Sequence, residues 1–287
     1  MRRSRLLLFI ALWVGIFGQK SWSQSVPIQT TQPVKQIEEF LKRFYYDQTP
    51  DQRPLTTDSL RALYPRRAYL LSLFDAKDSR RTTQPSYKQA IDTFVTELSE
   101  AEEKPDDLYA NVLVETPFRA SYRGKTETLT VFWQMTHIGR AQGWRMVGLA
   151  APFLTASTDT SKAPLSGDTT QRASRPLTLS PNTHETSFLE FHQVIKQGHD
   201  LRLLLSDSLG QTGVGQAFIE AVRQRELRLI ETERVSLFIL TQSGWIVRVD
   251  EFPRDNENAG WLISDLFGNR SPSRLPPELA TLVRIRP

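Results

Sequence analysis

The chain has 287 residues, of which 39% are hydrophobic and 24% charged, a composition typical of a globular protein with room for two domains. Its formal net charge of +4 comes from the first 23 residues, which contain four basic residues and no acidic one. The rest of the chain has 32 basic and 32 acidic residues, so we expect no nucleic-acid partner and no electrostatic attraction to an anionic membrane.

Residues 1–23 have the pattern of a signal peptide. Three arginines within the first five residues precede an apolar stretch, 6–17, and small residues then predict cleavage after Ser23 or Ser25. The alternative is an uncleaved anchor, but the stretch is shorter than the about 20 residues that span a bilayer. We therefore expect an exported protein, periplasmic or extracellular, without a transmembrane segment after signal removal.

The chain contains no cysteine. This absence excludes disulfides, lipid attachment through an N-terminal cysteine, cysteine-based metal centres and thiol catalysis. The sequence also lacks a phosphate-binding loop, a dinucleotide fingerprint and a serine-nucleophile motif, so we expect no cofactor. The folded protein must be held together by its hydrophobic core.

The segment 155–185 divides the chain into two modules. It has twelve Ser or Thr, three Pro and no aromatic residue, which is typical of a flexible linker. It separates a first module, residues 24–154, from a second module, residues 186–270. A Pro-rich tail, residues 271–287, follows.

Apolar residues at helical spacing predict three helical segments at the start of the first module. The first covers 34–45. The second begins after an N-cap at Thr57 or Asp58 and is interrupted by Pro65, and the third covers 86–103.

The periodicity then changes from that of a helix to that of a strand. Strands are predicted at 109–122, 128–138 and 144–149, with a hairpin turn at 123–125. Pro117 has no N–H to donate to a neighbouring strand, so it predicts an edge strand or a bulge. Helices followed by an antiparallel meander indicate the α+β class.

The second module repeats this order in a shorter form, with predicted helices and strands at 188–205, 215–225, 227–240, 245–249 and 261–266. The predicted architecture is therefore two tandem modules, each with N-terminal helices followed by a curved antiparallel sheet, joined by a flexible linker. Two short segments match between the modules at nearly equal separations: 114–116 with 230–232, and 143–146 with 260–263. The matches indicate a duplication, with chance similarity as the alternative.

The last strand of the first module carries Gly-Trp-Arg-Met-Val-Gly-Leu, residues 143–149. Helices followed by a long hairpin that ends in such a strand resemble the nuclear transport factor 2-like superfamily, which includes SnoaL-like and ketosteroid-isomerase-like domains. The resemblance covers most of the first module and, more weakly, the strands of the second. It implies a sheet that wraps around helices into a cone with an apolar pocket. That superfamily includes enzymes, ligand binders and interaction domains, so the resemblance leaves function open.

His137 is the candidate acid–base residue, because it continues an alternating apolar face to the end of its predicted strand. If that face lines a cone, His137 lies at the end of the pocket, with Tyr45, Tyr69 or Tyr122 as a partner. Alternatively, His137 marks the point where the strand emerges into water. The candidate ligand-binding residues are Tyr45, Tyr122, Trp133 and His137.

The sequence favours no metal site. The acidic loop 250–258 could offer oxygen ligands to calcium, but it lacks the spacing of an EF-hand, and a solvated hairpin loop is the favoured interpretation. His192 and His199 are seven residues apart on a predicted helix, whereas helical metal sites commonly use a closer pair.

The leading hypothesis is an exported cell-envelope protein that binds a small molecule or an envelope protein without catalysis. It rests on the missing catalytic motifs and on the pocket that the resemblance implies. The alternative is an isomerase-, dehydratase- or hydrolase-like enzyme with a pocket acid or base in the first module. A structural protein with two docking modules is a third hypothesis.

Overall fold

The computed structural model describes the following parts of the chain: 33–101, 104–138, 141–154, 201–268 and 275–284, with Phe188, Phe191 and Ile195. The predicted signal peptide, 1–23, and the predicted linker, 155–185, lie outside the described residues. The three separate phenylalanine and isoleucine positions are helical.

Five helices open the described chain: α1 (Ile37–Phe44), α2 (Asp58–Leu63), α3 (Arg66–Ser72), α4 (Arg80–Thr83) and α5 (Pro85–Glu100). The predicted N-cap is confirmed, because the Thr57 hydroxyl accepts a hydrogen bond from the Leu60 amide at 3.3 Å. Pro65 lies between α2 and α3, as predicted. None of the helices in the described ranges has the length and apolarity needed to cross a membrane.

Three strands follow: β1 (Val112–Tyr122), β2 (Lys125–Ile138) and β3 (Ala141–Ala150). After a short 3-10 helix at Leu201–Leu203, the remaining elements are α6 (Asp207–Gly210), α7 (Gly213–Arg223), β4 (Leu227–Thr232), β5 (Ser236–Leu240), β6 (Ile246–Phe252), β7 (Gly260–Phe267) and α8 (Pro277–Arg284). The predicted turn between β1 and β2 is confirmed. Arg123 and Gly124 both have positive φ, at 49° and 80°, which matches the twist of a tight hairpin.

The seven strands form one open antiparallel sheet in the order β3-β2-β1-β5-β6-β7, with β4 paired to β1. Strands from both sides of the predicted linker therefore pair directly with each other. The α+β class is confirmed, and the division into two tandem modules stays a prediction.

Of the two alternatives predicted at Pro117, the edge is wrong, because β1 lies at the centre of the sheet, whereas the register of β1 against β4 does shift nearby, between Arg119 and Ala120. Pro117 lies opposite a break in the neighbouring strand, where β4 ends at Thr232 and β5 begins at Ser236. The Pro117 carbonyl still accepts a hydrogen bond from the Glu233 amide. A break in the partner strand accommodates the missing N–H as an edge would.

The two faces of the sheet have separate hydrophobic clusters. On the inner face, residues such as Val114, Trp133 and Val249 share one core with α1, α5 and α7. On the outer face, Leu113, Phe132, Phe238 and Phe267 pack against Leu279 of α8, which is fully buried. The tail 271–287, predicted as Pro-rich, thus includes a helix with Pro277 at its first position, where its missing N–H costs nothing.

Both edges of the sheet are covered by segments from the other half of the chain. At β3, the Met146 amide donates to the Leu204 carbonyl at 2.9 Å, and the Ser206 amide donates to the Met146 carbonyl at 2.7 Å. At β7, the Ile263 amide donates to the Leu73 carbonyl at 2.8 Å, and the Asp75 amide donates to the Ile263 carbonyl at 3.1 Å. At each edge, the covering segment runs parallel to the edge strand and forms an isolated β-bridge with it, Met146 with Leu205 at β3 and Phe74 with Ile263 at β7.

Candidate functional site

His137 lies near the end of β2, with 57% of its side chain exposed. It continues the inner-face row of Val131, Trp133 and Met135, which are buried, so the predicted face is confirmed. The ring nitrogen Nε2 lies 2.9 Å from a carboxylate oxygen of Asp107, in place of the tyrosines expected from the sequence. The structure therefore places His137 at a solvated rim.

The other candidate ligand-binding residues do not gather around His137. Tyr122 is paired with Lys125 at the hairpin, and His137 is paired with Gln142 at the other end of β2. Twelve residues of strand separate the two positions, about 40 Å at the usual rise per residue. Tyr45 is buried against Phe44, with ring centroids 5.2 Å apart.

Trp133 belongs to the core between these two ends. Its indole N–H donates to the Thr116 hydroxyl at 2.7 Å, so the one polar atom of the ring is satisfied. The centroids of the Phe188 and Phe191 rings lie 5.6 and 4.9 Å from the Trp133 ring. Aromatic side chains thus occupy the space next to Trp133, where the resemblance implies a pocket.

A row of polar side chains crosses the outer face of the sheet. Glu115 of β1 is paired with Ser236 of β5, and Ser236 is paired with Asp250 of β6. The Ser236 hydroxyl donates to Asp250 at 2.6 Å, and Nε of Arg248 lies 3.0 Å from the same carboxylate. We call Glu115, Ser236, Arg248 and Asp250 the outer polar row.

Glu115 is 6% exposed and Ser236 beside it is fully buried, whereas Arg248 and Asp250 are partly exposed. Burial raises the pKa of the Glu115 carboxyl above the usual range. Arg234 and Arg248 lower that pKa, whereas Asp250 and Glu278 raise it. The net direction is upward because desolvation disfavours the charged form.

The Glu115→Gln variant should therefore be more stable than the wild type at neutral pH. A raised native pKa means that Glu115 favours folding while it is protonated, and that this contribution is lost as pH rises through the native pKa. Each unit by which the native pKa exceeds the unfolded value costs about 1.4 kcal/mol once the group is charged. Urea denaturation should give equal or nearly equal free energies of unfolding for the wild type and Glu115→Gln at pH 4. The difference between them should grow toward pH 8.

The matched control is Glu251→Gln, which removes the same charge from an exposed position on another strand of the sheet, β6. Its stability relative to the wild type should change little over this pH range. A constant gap between the wild type and Glu115→Gln from pH 4 to pH 8 would contradict the raised pKa.

The loop predicted as a solvated hairpin is docked on the first half of the chain. The Arg254 guanidinium donates two hydrogen bonds to Asp75, at 2.6 and 3.0 Å, which is the geometry of a strong bidentate pair. The Asn258 side-chain amide also donates to the Phe74 carbonyl. Over the ranges that the structure describes, no group of three or more His, Cys, Asp or Glu side chains is arranged to hold a metal ion.

The sequence interpretation did not identify the outer polar row. Alternation along β1 puts Glu115 on the same side as Arg119, yet of the two only Arg119 is exposed. The signal that could have identified the row is the run of polar residues at alternate positions of the later strands, Ser236, Arg248 and Asp250. Their proximity to Glu115 depends on the pairing of β1 with β5, which no local pattern predicts.

No protein-family model matches this chain, and no curated protein or solved structure matches it either. The nuclear transport factor 2-like resemblance therefore stays a prediction.

Proposed function

We propose that this chain is an exported, non-catalytic ligand-binding protein. The observation that carries the proposal is the outer polar row, in which the Glu115 side chain is 6% exposed and burial raises the pKa of its carboxyl. Taking a carboxylate out of water costs free energy unless hydrogen bonds or nearby charges compensate. A ligand that donates hydrogen bonds to Glu115 offsets this cost.

The absence of catalysis is inferred from where the ionisable groups lie. His137 continues the inner face of the sheet, whereas Glu115 lies on the outer face. General acid–base chemistry requires both groups within reach of one substrate. The sheet separates these two groups. His137 therefore cannot act as an acid or base on a ligand that is bound at the outer polar row.

Export belongs to the same proposal. It is supported by the basic and apolar segments within residues 1–23 and by the absence of cysteine, which leaves the fold independent of the redox state of its compartment. We assign the protein to the cell envelope, periplasmic or extracellular.

We also propose that the chain is an internal duplication. Met146 and Ile263 occupy equivalent positions in the two matched segments, 143–146 and 260–263. Each of them makes the same pair of backbone hydrogen bonds to the other half of the chain. The strand order is consistent with two three-stranded meanders, β1-β2-β3 and β5-β6-β7, joined through their first strands.

Native mass spectrometry of the mature protein from its own envelope fraction tests the proposed function. The expected result is a mass excess over the denatured protein that corresponds to a bound small molecule. A sample without such an excess, or with a tightly bound protein in its place, would count against a ligand-binding function.

The alternative is an enzyme with His137 as acid or base, and the 2.9 Å contact with Asp107 favours it, because a carboxylate partner orients a catalytic imidazole. The same measurement separates the two functions. One retained compound supports binding alone, whereas a pair of compounds related as substrate and product supports the enzyme.

A further inference from the structure

We propose that the outer face of the sheet is a docking site for the C-terminal helix of a second copy of this chain, so that two copies exchange α8. The proposal goes beyond ligand binding and does not depend on it. It follows from the apolar face that α8 covers, from the contacts that hold α8 there and from the length of chain that joins α8 to β7.

The outer face of the sheet is apolar where α8 lies. Five large side chains from five strands form one cluster with the C-terminal segment: Leu113, Phe132, Phe238, Ile246 and Phe267. We call these five side chains the outer apolar face. Contiguous apolar patches larger than a few hundred Å² are rare on monomeric proteins and mark interaction sites. Without a helix over it, the outer apolar face would be a patch of this kind.

The structure shows how a helix is seated on the outer apolar face. Leu275 and Leu279 are 6% and 0% exposed, and Leu282 packs against the same cluster, so one side of the segment meets the strands. Leu282 lies over Gly148 of β3, where an added Cβ would be 3.0 Å from Leu282 Cδ1. The missing side chain at Gly148 therefore leaves the space that Leu282 occupies.

Apolar packing holds α8 on the sheet. The hydrogen bonds of α8 within the described part of the chain stay inside the segment: the Ala280 amide donates to the Pro276 carbonyl, and the Thr281 hydroxyl donates to the Pro277 carbonyl. A helix of eight residues is too short to be stable in water by itself, so α8 depends on the face that it covers. The same contacts are available to the α8 of any copy.

The chain between β7 and the docked segment is long enough for exchange. Residues 268–274 join Phe267 to Leu275, and an extended chain of this length spans at most about 28 Å. Two copies with their outer faces turned toward each other would each place α8 on the other, around one two-fold axis. All apolar contacts of α8 are kept in such a pair. The covalent tether favours docking within one chain at low concentration, whereas high concentration favours exchange.

Fluorescence anisotropy with a labelled peptide of residues 274–287 tests the docking site in the full mature protein. Leu279→Asp places a charge in the buried contact, which should release the protein's own α8 and leave the outer apolar face open. The matched control is Thr281→Asp, which adds the same charge at an exposed position of the same helix. The peptide should bind Leu279→Asp at least tenfold more tightly than the wild type or Thr281→Asp, because α8 competes with the peptide in both. A peptide that itself carries Leu279→Asp should bind none of the three proteins.

A measurement on the wild type decides the question if Leu279→Asp fails to fold. Tagged and untagged copies, incubated together at high concentration, should form mixed dimers that affinity capture recovers. An excess of the wild-type peptide should dissociate these dimers, because the peptide and the exchanged α8 occupy the same face.

Three outcomes would overturn the proposal. The first is a folded Leu279→Asp variant that does not bind the peptide. The second is a wild type that stays monomeric at every concentration. The third is a mixed dimer that the peptide leaves intact, because such a dimer uses another surface.

Discussion

Cutting the chain within the predicted linker, 155–185, should leave the two fragments bound to each other. The expected result, with a protease site inserted after Pro164, is co-elution of both fragments at the volume of the uncut chain in size-exclusion chromatography. The fragments should separate only in denaturant.

This result is expected because the two halves share their sheet and their core. β1 pairs with β4 and β5 over most of its length, and Val114 lies opposite Leu237, both fully buried. Ion pairs also join the halves, among them Arg80 with Asp265 at 3.1 Å and Arg254 with Asp75 at 2.6 Å. Separation would expose these apolar side chains, each worth about 1.5–3 kcal/mol when fully buried.

The control for this experiment is the uncut protein treated with the same protease without the inserted site. Fragments that elute independently under native conditions would contradict the pairing of β1 with β5. They would instead support two separate modules of the kind that the sequence predicts.

Gly260→Ala should destabilise the protein by about 3 kcal/mol. Gly260 has φ of +79°, where L side chains are strained, and an added Cβ would lie 1.9 Å from the Val34 carbonyl oxygen. The neighbouring hydrogen bonds, from the Trp261 amide to Val34 and from the Val34 amide to Ala259, fix this close backbone approach. Urea denaturation should show a lower midpoint with an unchanged slope.

Gly210→Ala is the matched control, because a Cβ at Gly210 would meet no atom within 4 Å and its φ is not positive. It should change stability by no more than about 0.5 kcal/mol. Equal stability of the two variants would show that the segment at Val34 does not approach β7 in this way.

Elements with local signals were predictable from the sequence. The Thr57 cap, the break at Pro65 and the tight turn at Arg123 and Gly124 depend on residues within a few positions of each other. The predicted alternation of buried side chains along β2 is also confirmed. A strand with one buried face places every second side chain on that face, whichever strands it pairs with.

Features that depend on distant pairing were missed. Pro117 indicates an edge strand only if the strand beside it is continuous. That neighbouring strand is interrupted between β4 and β5, 115 or more residues further along the chain, where no pattern around Pro117 can show it. The burial of Glu115 and the helix after Pro276 have the same cause, because each depends on the opposite half of the chain. The candidate ligand-binding residues do not surround His137. The length of the strand, which the sequence predicts, separates His137 from Tyr122.

The exchange of edge segments also has a consequence for folding order. The edge of β3 is completed by Leu204 and Ser206, and the edge of β7 is completed by Leu73 and Asp75, so neither half finishes its hydrogen bonding alone. Contacts between residues so distant in sequence slow folding, because a long loop must close before they form. The first half can therefore complete its hydrogen bonding only when the second half is present to pair with it.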